Sequence, residues 1–129
     1  MANTYPTPGN LQDVIVPGGQ LVDISTASIS YAPVPVNGLI VDALATISAA
    51  LTTADAVVTV KVIKSGVTST VGTITVTQSG SAIGDTATMV ISGSESVRSV
   101  KRGDTLVFDS AGGSDTTSIA NFAAVIRRT

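Results

Sequence analysis

Residues 56–77 read AVVTVKVIKSGVTSTVGTITVT. Ala56, Val58, Val60 and Val62 fall on one side of an extended chain, and Val57, Thr59, Lys61 and Ile63 fall on the other. Lys64-Ser65-Gly66 supplies a turn, after which Thr73, Thr75 and Thr77 alternate with Ile74 and Val76. This period of two suits a pleated strand, whereas a helix repeats about every 3.6 residues. The stretch predicts a β-hairpin with one hydroxyl face.

The composition extends that reading to the whole chain. Val (18), Thr (18) and Ile (11) far outnumber Leu (6). Branching at Cβ narrows rotamers in a helix and packs well on a half-buried sheet. Ser (15) joins Thr, so the polar surface is mostly hydroxyl, and charged residues make up only 12%. That is about half the usual share. The 129 residues fit one domain, long enough to bury a core without cross-links.

Outward from the hairpin, residues 20–32 place Leu21, Ile24, Ile29 and Tyr31 in strand-like company before Pro33, Pro35 and Gly38 interrupt. Residues 39–51 are ambiguous on pattern. Ile40, Leu44, Ile47 and Leu51 suit a helix, while Val41, Ala43, Ala45, Ile47 and Ala49 suit a strand. The surrounding composition favours the strand. Residues 86–91 predict a strand with Ala87, Met89 and Ile91 on one side. Ser92–Glu95 reads as a turn, and Lys101–Asp104 as a tight turn into a strand at 105–109 with Leu106 and Phe108 inward. Residues 116–128 predict a last strand in which Phe122, Ala124 and Ile126 alternate with Asn121, Ala123 and Val125. Its two apolar faces predict cover by the second sheet and by another subunit. The expected fold is all-β: an antiparallel β-sandwich or jelly roll of about seven to eight strands. It forms a single domain over 21–129, preceded by an extended Pro/Gly-rich arm over 1–20. Gly18-Gly19 in that arm reads as a turn.

The chain has no His and no Cys. Disulfides, thiolate or imidazole metal sites and His-based catalytic dyads are therefore excluded. A nucleophilic Ser needs an adjacent base; only Lys61, Lys64 and Lys101 could serve, and no Ser-x-x-Lys motif occurs. Gly84-Asp85 and Gly103-Asp104 precede strands rather than helices and read as hairpin turns, not phosphate cradles. Asp104, Asp109 and Asp115 lie among glycines and have the oxygen chemistry of a Ca²⁺ site. Their spacing fits neither an EF-hand loop nor a Gly-rich calcium repeat, and turn chemistry is the favoured account. The expectation is a protein that is not an enzyme and has no cofactor. A pI near 4.7 argues against a nucleic-acid partner. No stretch approaches the roughly 20 apolar residues of a membrane helix, and residues 1–20 lack the basic start of a signal peptide.

Charge is uneven along the chain. Residues 1–60 carry four acids and no base, whereas 61–129 carry seven bases and five acids. Chance in a charge-poor chain accounts for this, as does head-to-tail pairing of subunits. A mean hydropathy of +0.45 in so weakly charged a chain predicts association.

Several pieces together resemble the small head-decoration or head-fibre-like β proteins of tailed bacteriophages. They are Gly38-Leu39-Ile40-Val41, residues 51–62 (LTTADAVVTVKV), residues 73–85 (TITVTQSGSAIGD), Val97 through Gly103-Asp104-Thr105-Leu106, and residues 109–114 (DSAGGS). The resemblance covers about residues 38–127 and leaves out the arm. It implies a compact sandwich, a homotrimer fixed to the exterior of an icosahedral head, made in the host cytoplasm and partnered by the major capsid protein. The role of the arm rests on physical grounds alone: a Pro-rich extended segment cannot fold by itself and either lies on its own domain or reaches a neighbour, with Tyr5, Pro6 and Pro8 as the expected anchors to the capsid. Tyr31, Phe108, Phe122, Val125 and Ile126 serve the core or the subunit interface, and Arg127 and Arg128 meet acidic groups of a neighbour. A recognition module for glycans or a host receptor is the alternative, with Tyr5 and Tyr31 as its available sugar-stacking rings.

Overall fold

The computed structural model describes residues 13–113 and 117–128. Nine strands occur among them: β1 (Asp13–Leu21), β2 (Ser28–Pro33), β3 (Gly38–Ile47), β4 (Ala56–Lys64), β5 (Val67–Val76), β6 (Thr86–Ile91), β7 (Ser99–Val100), β8 (Thr105–Ser110) and β9 (Ala120–Arg128). A single short helix, α1 (Glu95–Arg98), precedes β7. The strands run in the order β1-β9-β3-β6-β5-β4-β8-β2, with β7 paired to β3, and every pairing is antiparallel. Strand β6 belongs to both halves. Thr86–Thr88 pair with β3, whereas Met89–Ile91 pair with β5. The path therefore folds into two facing layers, β1-β9-β3-β6 and β6-β5-β4-β8-β2.

The hairpin predicted at 56–77 is β4–β5, with Ala56 opposite Val76 and Lys64 opposite Val67. Ala56, Val58, Val60 and Val62 are buried, and Thr75 is exposed. Ser65 and Gly66 both take positive φ at its tip, a conformation glycine adopts without Cβ strain. The ambiguous segment is strand β3. A bulge between Ile40 and Asp42 puts Ile40 rather than Val41 into the core, ahead of Ala43, Ala45 and Ile47.

The core is aliphatic apart from one aromatic pair. Phe108 of β8 and Phe122 of β9 stack across the layers with ring centroids 4.7 Å apart and planes 16° apart. The pair sits under Gly18, where an added Cβ would lie 2.5 Å from the Phe108 ring and 2.7 Å from Phe122 Cβ. The Ser30 hydroxyl of β2 donates to the Gly18 carbonyl of β1 at 2.9 Å. Glycine, serine and two phenylalanines thus draw together the two ends of the strand path.

Several sequence expectations change here. Residues 13–20, expected in the arm, form most of β1, paired residue by residue with β9. The Gly18-Gly19 turn is instead a bulge inside that strand, where Gly19 takes positive φ and Gly18 admits the phenylalanines. Ser92–Glu95 is not only a turn, because Ser94 caps α1 and accepts from Val97 N. Ile91 is exposed although Met89 is buried. In β2 the small Ser30 and Ala32 face inward, and Ile29 and Tyr31 face out. Ser30, paired with Phe108, lies against Gly18 and Gly19 of β1, so a small residue points inward there. No helix among the described residues is long and apolar enough to cross a membrane.

Candidate functional site

The exposed candidate residues lie on the outer faces of the two layers. The outer face of β1-β9-β3-β6 carries small and branched residues among polar ones. Ile15, Val125 and Asp42 form one cross-strand row, and Pro17, Ala123, Leu44 and Thr88 form the next. Ile15 is 72% exposed, while Val125, Ala123 and Leu44 are half-buried. Asp13 and Arg127 border this face with an ion pair at 2.9 Å. That contact holds the Asp13 carboxyl below its usual range and raises the Arg127 guanidinium, first through the hydrogen bond between them. Gln20 donates to Asn121 at 3.2 Å farther along the same face.

The opposite layer presents a different surface. Ile29, Asp109, Thr59, Thr73 and Val90 form one row, and Tyr31, Val107, Lys61 and Thr70 another. Lys61 Nζ meets Asp109 Oδ2 at 3.0 Å in its centre. Tyr31 is 61% exposed beside them. This is the hydroxyl face foreseen from residues 73–77.

The remaining sequence candidates separate. Phe108, Phe122 and Ile126 lie in the core. Val125 lies on the outer face, and Arg128 is exposed at the end of β9. Tyr5, Pro6 and Pro8 lie outside the described residues, as does Asp115. Asp104 Oδ2 accepts from the backbone N–H of Lys101 at 2.9 Å, closing the turn before β8. Asp109 is engaged by Lys61, so these two aspartates are not brought together. Among the described residues no three acids gather to hold an ion.

Buried hydroxyls are occupied by structure. Ser110 donates to Ile24 O at 2.8 Å, and Ser118 donates to Ala49 O at 2.9 Å. The Asp23 carboxylate accepts from the Ser25 hydroxyl and from the backbone N–H groups of Ser25 and Ser118. These bonds, the Ser25 hydroxyl first, hold its pKa below the usual range. Sequence reasoning missed Asp23; the only available signal was its place two residues before Ser25 in an Asx-turn pattern.

Two clefts open at the sheet ends. One, of about 370 Å³, lies between β5 and β6 and is lined by Thr75, Thr77, Asp85, Thr86 and Thr88. The other, of about 360 Å³, is lined by Lys64, Ser65, Ser96, Ser99, Lys101 and Asp104.

The sequence matches no protein-family model and no curated protein. Three solved structures are similar in fold. The cyanophage Pam1 capsid asymmetric unit is 17% identical with a TM-score of 0.53, covering 100% of this chain and 92% of that one. Eiger TNF from S. frugiperda is 7% identical with a TM-score of 0.52, covering 91% and 92%. CsCBM6-3 from Clostridium stercorarium, solved in complex with cellobiose, is 15% identical with a TM-score of 0.51, covering 92% and 83%. The likeness is one of architecture, and it establishes the antiparallel jelly-roll fold.

Proposed function

We propose that the chain is a non-catalytic structural protein of a phage virion, decorating and stabilising the capsid exterior as a homotrimer. The observation that carries this is the apolar set on the outer face of β1-β9-β3, where Ile15, 72% exposed, lies beside half-buried Val125, Ala123 and Leu44. Such a face gains free energy when covered, at roughly 25 cal/mol per Å² of apolar surface removed from water. The fold likeness to a capsid unit over the whole chain supports the same reading. A protein that binds the assembled lattice and not its free subunits stabilises the shell by mass action. In this role the arm, with Tyr5, Pro6 and Pro8, reaches the major capsid protein.

Light scattering on the purified chain tests the assembly. A trimer mass is expected, with Val125→Glu or Leu44→Glu giving folded monomers. A monomer at high concentration contradicts the interface. A second reading, glycan recognition, draws on Tyr31. Its exposed ring beside the Lys61–Asp109 pair offers a stacking surface with polar partners. Saturable binding on a glycan array that is lost in Tyr31→Ala would favour it.

A further inference from the structure

The fold sorts charge by end. Antiparallel pairing brings the start of β1, the end of β9, the start of β3, β7, and the turns β4–β5 and β7–β8 to one pole. That pole holds Lys64, Arg98, Lys101, Arg102, Arg127 and Arg128, six of the seven bases, against the three acids Asp13, Glu95 and Asp104. The opposite pole holds Asp23, Asp55 and Asp85, and no base among the described residues. The uneven halves of the sequence therefore become a dipole along the strand direction.

Three features of the basic pole point to a protein partner. Lys64 donates to Ser96 O at 2.8 Å, and Arg98 donates to Ile40 O at 2.9 Å. Both contacts fix a cation in place without neutralising it. The cleft between Lys64 and Lys101 adds the hydroxyls of Ser65, Ser96 and Ser99; its one acid, Asp104, already accepts from the backbone N–H of Lys101, and the two lysines outnumber it. The chain also enters the domain at this pole, since Asp13 faces Arg127 there.

We infer that the basic pole is the capsid-facing end and docks on an acidic patch of the shell surface, with the acidic pole directed outward. This rests on the proposed capsid role and deepens it. The cations then face the shell, and the outward acids oppose inverted docking. Only three net positive charges are offered, few for a polyanion whose affinity grows with each phosphate neutralised.

The test measures binding of the full chain to phage head particles lacking it, as a function of salt. Lys101→Glu with Arg102→Glu is compared with Ser79→Glu at the opposite pole, each checked for an unchanged unfolding midpoint. The expected result is at least a tenfold loss for the basic-pole variant and none for Ser79→Glu. Wild-type binding should also weaken with salt more steeply than that of the variant. Wild-type binding that the basic-pole variant leaves unchanged overturns the inference and leaves the capsid role standing. No wild-type binding at all overturns both. Tighter retention on duplex DNA than on particles at physiological salt also overturns it, because the pole is then a phosphate surface.

Discussion

Gly18 shows how much one residue decides. Its missing side chain admits the Phe108–Phe122 stack, and its carbonyl receives the Ser30 hydroxyl. Adding a methyl group forces the rings or the strand to move, and overpacking of this kind costs about 1–3 kcal/mol. Gly18→Ala should lower the denaturation midpoint accordingly, while Gly80→Ala, whose Cβ meets nothing within 4 Å, loses only the ease of a positive φ. Asp23 governs acid stability. Its carboxyl is held below the ordinary range in the folded state by Ser25, so folding favours the charged form. That contribution is present above the unfolded pKa, near 3.9, and is lost as pH falls through the lower folded value. Asp13 acts in the same direction through Arg127. Asp23→Asn should be less stable at neutral pH and should lose less stability than wild type on acidification below about pH 4, measured by urea unfolding across pH.

At the scale of elements, β4–β5 was legible because alternation is regular over Ala56–Val62 and Thr73–Val76; the bulge at Val71, opposite Val60 and Lys61, left no such signal. The inward set of β9 was legible for the same reason. The direction of β2 was not, because its large side chains face out and its small ones face in. Hydrophobic alternation alone gives the opposite register; the close approach of Ser30 to Gly18 and Gly19 comes from another strand, β1. Strand β1 was hidden by Pro17, Gly18 and Gly19, which read as breakers but form a bulge opposite Phe122. The outer-face candidate Val125 was visible from the two apolar faces of β9. Its neighbours Ile15 and Leu44 needed the register. Deleting residues 1–10 stops short of β1 and should leave cooperative unfolding intact while reducing occupancy on particles. Unchanged occupancy would contradict the arm's role.

For the molecule as a whole, composition gave the class of fold, and long-range pairing gave the surfaces. The uneven charge of the two halves is visible along the sequence, but its sorting to the two poles is not, because Arg127 and Lys64 become neighbours of Asp13 and Lys101 only through the sheet. One layer offers Ile15, Val125, Ala123 and Leu44 among polar residues, the other offers hydroxyls with exposed Ile29, Tyr31 and Val90, and the two poles carry opposite charge. These four surfaces together suit a subunit that is covered on one side, solvated on another and oriented end-on. The most direct measurement is the copy number of the chain on intact, purified phage heads relative to the major shell protein. A fixed ratio that survives washing and reaches a multiple of three per site is the predicted result. Absence from the particles, or a variable trace amount, would contradict the account.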